Sequence, residues 1–156
     1  GRHQDALEQV ELGVELCARD GGVGSAAWLG ARGELAKVLS EMGRWPAALD
    51  ELASLLPAAR ERFGPGDERV LRLWQLRIHC LRLTEGVEEA LREIEALLGE
   101  LESRSSPLTD LQLALRLERA DGWFAQGQVA PARAELERCL ADALSQLGPD
   151  DALTVR

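Results

Sequence analysis

The amino-acid sequence predicts an all-α protein, a right-handed α-solenoid of antiparallel helix hairpins with about seven helices, and three observations carry that prediction. First, alanines stand at Ala6, Ala48, Ala90 and Ala132, each 42 residues from the next. A fixed period of this size marks a stacked array of supersecondary units. Second, apolar residues follow each alanine at constant offsets: Val10, Leu52, Ile94 and Leu136 four residues on, and Val14, Leu56, Leu98 and Leu140 eight residues on. Offsets of four and eight fall on one stripe of a helix. Third, the punctuation recurs. Gly1, Gly43, Glu85 and Gly127 precede the alanines by five residues, and Val23, Pro65, Pro107 and Pro149 follow them by seventeen. The unit is turn, amphipathic helix, Pro-containing loop and second helix.

The elements follow in order. A first helix spans 3–19 and ends at the glycine-rich loop 20–24, after which Ser25 is an N-cap residue type. The second spans 26–42 and stops at Gly43, a residue suited to the position just past a helix end. Pro46 opens the third from its first turn, where a missing N–H costs nothing, and that helix runs to Phe63. Within it Pro57 removes the bond to the Ala53 carbonyl, so a kink is expected there with the helix resuming. After Gly64-Pro65-Gly66 come a fourth helix over 68–84 and a fifth over 87–102. The loop 103–107 leads to a sixth over 109–126, and Gly127 and Pro131 repeat the Gly43/Pro46 punctuation before a seventh that ends at Leu147. The repeat units are 1–24, 25–66, 67–108 and 109–150, one solenoid segment, with 151–156 opening a further unit. Gly1 aligns with a turn inside a unit and Arg156 falls inside a helix, so the chain reads as an excerpt of a longer array.

Composition excludes several functions. At 156 residues and 46% hydrophobic content the chain can bury a core. A net charge of −9 argues against nucleic acid, whose affinity comes mainly from Lys and Arg on phosphates, and against an anionic membrane surface. No apolar run reaches membrane-spanning length and none near Gly1 resembles a secretory signal. Cys17, Cys80 and Cys139 are odd in number and scattered, which reads as reduced thiols in a cytoplasmic setting. Cys139 lies seven residues after Ala132, where Leu55 and Leu97 lie after theirs, so it reads as a small core hydrophobe rather than a nucleophile.

The stretch Leu35-Ala36-x-x-Leu39-x-x-x-Gly43-x-Trp45-x-x-Ala48-Leu49 resembles the tetratricopeptide repeat, in the 42-residue form of kinesin light chains and many bacterial signalling proteins. Phe63-Gly64-Pro65-Gly66-Asp67 and Leu147-Gly148-Pro149-Asp150-Asp151 are similar to that family's inter-repeat loop, without its histidine and second proline. In the third unit Glu85 replaces the turn glycine, with Gly86 beside it. The resemblance implies that small alanines let the two helices of a hairpin approach, and that an aromatic at Trp45 fills the wedge between hairpins. It also implies that the first helix of each unit lines a concave surface that binds a peptide or protein segment.

In that register the groove draws on Gly33, Lys37, Ser40 and Glu41, on Arg72, Gln75, His79 and Arg82, and on Ala114, Leu117, Asp121 and Phe124. Arg72, Gln75, His79 and Arg82 are spaced by three and four, so they share one helix face, a basic row on an acidic protein. Such a row favours a partner with an acidic anchor, or else pairs with neighbouring Glu and Asp. The sequence has no Asn, which leaves a Lys/Asn carboxylate clamp of the kind some tetratricopeptide domains use without its amide. Trp28, Trp45, Trp74 and Trp123 read as inter-helix packing. Gly21 to Ser25 lacks the lysine of a phosphate loop, two histidines make no metal site, and no Ser/His/Asp set is present, so neither an enzyme nor a cofactor is expected. The function expected is a protein-interaction module. The alternative is a structural or regulatory spacer of a larger bacterial signalling protein (kinase, signal-transduction ATPase or transcription regulator) that packs on its own domains. A sensor of a small peptide is a third reading. Leu136, Leu140 and Leu144 would lack a covering helix, which also predicts end-to-end self-association of the fragment.

Overall fold

The computed structural model describes residues 2–84, 86–102 and 110–146, and the backbone alone of Arg2, His3 and Gln146. The predicted loop 103–107, the loop proline Pro149 and the helix start at 151–156 lie outside the described residues. Among the described residues there are seven helices and no strand: α1 (Arg2–Gly21), α2 (Ala26–Glu41), α3 (Trp45–Phe63), α4 (Glu68–Leu83), α5 (Val87–Glu102), α6 (Asp110–Ala125) and α7 (Val129–Gln146). The chain divides into two units, Gly1–Gly86 with α1 to α4 and Val87–Arg156 with α5 to α7.

Local chemistry sets the helix ends. Ser25 caps α2, its hydroxyl accepting from the Trp28 N–H at 3.2 Å. Asp67 caps α4, its carboxylate accepting from the Arg69 N–H at 2.9 Å. Gly43 and Gly127 stand at φ 71° and 75°, a left-handed conformation that side chains disfavour, and so close α2 and α6. The Arg44 N–H reaches back to the Leu39 carbonyl at 2.9 Å, and the Gln128 N–H to the Trp123 carbonyl at 2.8 Å. In the third repeat the Gly86 N–H makes the equivalent bond to Leu81 at 3.0 Å, so the closure survives the loss of the glycine at position 85. Helix α3 continues across Pro57. Ala53 and Pro57 both lie on the exposed side of α3, where water can reach the carbonyl that proline leaves unbonded.

In the first unit, Leu7 of α1, Leu39 of α2, Ala48 of α3 and Cys80 of α4 meet in one buried cluster, with Trp45 and Leu49 packed against it. Trp45 thus fills the space between hairpins as the resemblance implied. A second cluster joins α3 to α4 through Leu56, Ala59 and Val70, flanked by Phe63, Leu73 and Trp74. In the second unit, Leu113 of α6 packs on Cys139 and Ala143 of α7. Helices α5 and α6 approach closely at Gly122: a Cβ there would stand 2.8 Å from Leu91 Cδ2. The repeat alanines Ala48, Ala90 and Ala132 are 0%, 1% and 2% exposed.

The two helices of a hairpin are also tied by charge. Arg32 of α2 pairs with Glu51 of α3 and donates to Ser54 Oγ at 2.7 Å. Arg119 of α6 pairs with Glu135 of α7, whose side chain is 4% exposed. Each arginine also covers a tryptophan of its own helix, Arg32 over Trp28 at 4.8 Å and Arg119 over Trp123 at 5.1 Å. Arg116 bridges Asp142 at 2.8 Å and Glu102 at 3.2 Å.

Three outcomes are expected. Ala90→Leu overpacks a full helix contact and lowers stability by about 1–3 kcal/mol, read from the denaturation midpoint. Glu135→Ala strands the Arg119 guanidinium in a half-buried seam and costs about 2–4 kcal/mol, whereas Glu137→Ala, which breaks only the exposed pair with Arg133, costs less than about 0.5 kcal/mol. For Asp67, the bonded Arg69 side chain and then the Arg69 N–H hold the carboxyl at about 2. A depressed folded-state pKa means that the cap contributes fully above the unfolded value near 4 and is lost as pH falls through about 2. A carboxyl NMR titration should place its midpoint near 2, and Arg69→Ala should move it up toward the ordinary carboxylate range.

Candidate functional site

Helices α2 and α4, the first-type helices of the first unit, pack side by side. The Cys80 thiol donates to Ser40 Oγ at 3.4 Å, and the space beside Gly33 is closed by Leu73, 3.3 Å from where a Cβ would sit. Gly33 and Ser40 therefore belong to the α2–α4 contact and not to an open surface, which corrects the groove expected from the repeat register. The register marks equivalent positions but does not say which of them the next helix covers. Leu117 is half-buried against the Leu113, Cys139 and Ala143 cluster and is likewise a packing residue.

The exposed positions of the expected set are Lys37 and Glu41 on α2, Arg72 and His79 on α4, and Asp121 and Phe124 on α6, while Gln75 and Arg82 are half-buried. Lys37, His79 and Asp121 stand 42 residues apart, at one position of three successive repeats, which carries lysine, histidine and aspartate in turn. Lys37 lies 3.7 Å from Glu34 and Arg72 lies 2.5 Å from Glu68, both in exposed pairs within one helix. Exposed pairs of this kind are weak and exchange readily for a ligand carboxylate. Helix α4 carries four arginines, Arg69, Arg72, Arg77 and Arg82, against one carboxylate, Glu68. At its start Arg69 grips Asp67 with two bonds of 2.8 Å and stacks on Phe63 at 3.6 Å. Arg69 is thereby held at the α3–α4 corner, and the solvent-facing part of the row is Arg72 with His79.

The thiols have structural places. Cys80 is 0% and Cys139 4% exposed, and burial pushes both thiols up, away from the reactive thiolate form. Among the described residues no group of three or more His, Cys, Asp or Glu side chains is arranged to hold a metal ion, and no helix is long and apolar enough to cross a membrane. The tryptophans are half-buried, two beneath arginines and two against apolar clusters.

The Arg–Glu seam is what inspection of the sequence missed. Its signal was present: the position three residues after the repeat alanine is Glu51, Glu93 and Glu135. A carboxylate that recurs at a position facing the partner helix calls for a cation across the seam.

No family model matches the chain, and none of the curated proteins compared with it does. Solved structures do match. The kinesin light chain-like protein of Podosopora anserina, with nearly identical TPR-like repeats, superposes with a TM-score of 0.80 at 22% identity over 94% of this chain and 70% of that one. A single-residue variant of that protein gives 0.82 at 21% identity over 99% and 73%. BtubC (BKLC) from P. vanneervenii gives 0.80 at 18% identity over 95% of this chain and 59% of its own. At these identities the likeness speaks to architecture. The chain has the tetratricopeptide-like helical-repeat fold seen in proteins of the kinesin light chain type.

Proposed function

We propose that the chain is a protein-interaction module that holds a peptide or protein segment on the exposed face of its first-type helices, without catalysis and without a cofactor. The observation that carries this reading is that Arg72 and His79 of α4 are open to solvent, on a chain of net charge −9, with Arg72 held only in an exposed pair with Glu68. A local reversal of sign steers an acidic segment to this helix and away from the rest of the surface. Lys37 on the neighbouring α2 adds a cation, and Glu41 sets a limit to how far along α2 an anionic group is favoured. Asp121 and Phe124 are the exposed positions of the expected set on α6, in the second unit. The fold supports the reading at the level of class, since tetratricopeptide-like arrays generally bind other proteins. The setting proposed is the cytoplasm, where scattered reduced thiols persist.

A second reading has its own observation. The row of leucines on α7 is open to solvent, which favours a spacer of a larger signalling protein that packs on neighbouring segments.

The test uses a fluorescent Glu/Asp-rich peptide and a Lys/Arg-rich counterpart. The acidic peptide is expected to bind and the basic one not to. Arg72→Ala with Arg82→Ala should weaken binding by about tenfold or more and flatten its dependence on salt, with the thermal midpoint followed in parallel to exclude unfolding. Equal binding of the acidic peptide to the folded double variant would remove the arginine row from the site.

A further inference from the structure

Helix α1 is apolar on two sides. Leu7 is buried, and Val10 and Val14 on the same side are half-buried. Leu12 and Leu16 lie on the opposite side, one turn apart, and are 55% and 38% exposed. The repeat register shows that this second side is not a packing face of the array. Leu12 falls on Ser54 of α3, Ala96 of α5 and Arg138 of α7, at successive steps of 42, and all three are exposed. Helix α3 is the most telling of these, because α2 and α4 both pack on it. Asp50, Ser54 and Pro57, the counterparts of Glu8, Leu12 and Glu15, are open to solvent there all the same. Leu16 falls on Ala58, Glu100 and Asp142, which are half-buried at the edge of that face. Where the other units carry serine, alanine or arginine, α1 carries leucine, and packing between repeats does not account for it.

The surroundings of Leu12 define the chemistry of what would cover it. On a helix its neighbours are the residues three, four and seven positions away. These are Asp5, Glu8 and Glu15, with Gln9, Leu16 and Arg19. The three carboxylates are exposed, and among the described residues none of them is in an ion pair. Arg19, the one cation of this face, is taken up by Asp20 at 3.1 Å. Leucines framed by carboxylates complement a helix whose leucines are flanked by lysine or arginine: the apolar residues meet, and the charges along the edges pair. We propose that the outer face of α1, Leu12 and Leu16 framed by Asp5, Glu8 and Glu15, docks a basic amphipathic helix of a partner protein.

The same charges turn away anionic lipid and nucleic acid. A second copy of this chain is a poor fit. Its arginine-rich helix α4 exposes one large apolar side chain, Leu83, and its α7, with an open leucine row, carries three carboxylates against two arginines. The face lies on a different helix from the arginine row of α4, and it does not depend on any ligand there.

The experiment measures binding of a fluorescent helix-forming peptide to the full chain, with leucines three and four residues apart and lysines on both sides of them. The peptide is expected to bind, and Leu12→Gln with Leu16→Gln should weaken binding by about tenfold or more. Glu8→Lys with Glu15→Lys should do the same. Asp50→Lys with Glu95→Lys, an equal change of net charge at other exposed positions, should leave the affinity within about twofold. All the substituted positions are exposed, so the thermal midpoint of each variant should hold within about 2 °C. Charge alone is weak at an open surface, so the same peptide with glutamine in place of leucine should not bind. Failure of the leucine–lysine peptide to bind overturns the proposal, and so does wild-type affinity in either α1 variant or equal binding of the glutamine peptide. Loss of binding in Leu136→Gln with Leu140→Gln, and not in the α1 variants, places the peptide on α7 and overturns it as well. Sedimentation tests the second copy: association that grows with concentration and vanishes with Leu12→Gln and Leu16→Gln, in place of peptide binding, assigns the face to self-association and overturns the proposal.

Discussion

The arrangement depends on three side chains remaining methyl groups. Ala48, Ala90 and Ala132 are each almost fully withdrawn from water, and a methyl group at such a position leaves room for a neighbouring helix to come close. That approach has a second effect. A seam so narrow admits little water, so a polar group that lies in it must find its partner across the seam. Glu51 and Glu135 sit three residues past two of these alanines, and they meet Arg32 and Arg119. The ion pairs are thus a consequence of the close approach. They make the seam selective for one register, because a shift of either helix leaves a charge without its partner.

Burial in this chain is decided by neighbours more than by residue type. Leucine at the fourth position after the repeat alanine is 0% exposed at Leu52 and 45% exposed at Leu136. Among the described residues a following first-type helix, α4, packs on the helix of Leu52, and none follows that of Leu136. A helical-repeat fold has little long-range structure to compensate, since each element is stabilised by those adjacent to it in sequence. In the described residues the packing follows this rule: α1 lies on α2, α2 on α3, α3 on α4, α5 on α6 and α6 on α7, with α2 on α4 across one hairpin.

The helices were legible in the sequence for a physical reason. Period, turn glycine and loop proline act on the same few residues, so the errors do not accumulate: a helix expected over 26–42 is Ala26–Glu41, and one expected over 68–84 is Glu68–Leu83. The face of the first-type helices was less legible. Gly33, Lys37 and Ser40 are close on one helix, but only Lys37 is exposed, because α4 closes over the other two. Spacing along one helix carries no record of the angle at which the next helix crosses it. The charged seam was legible in half. Its carboxylates keep the period, but its arginines do not: two periods after Arg32 stands Arg116, which pairs with Asp142 and Glu102, while Glu135 is met by Arg119. A long side chain can reach the same carboxylate from either of two successive turns, and periodic reasoning finds only partners that keep their place.

Cys80 lies in the buried cluster of the first unit and Cys139 in that of the second. Each is a thiol that burial holds in its protonated form, so neither reacts with an alkylating reagent until its surroundings open. Local opening in a repeat fold can involve some repeats and not others. The chain therefore carries a chemical clock in each half, and the two labelling rates, read against that of the half-buried Cys17, time the breathing of each half without any foreign probe.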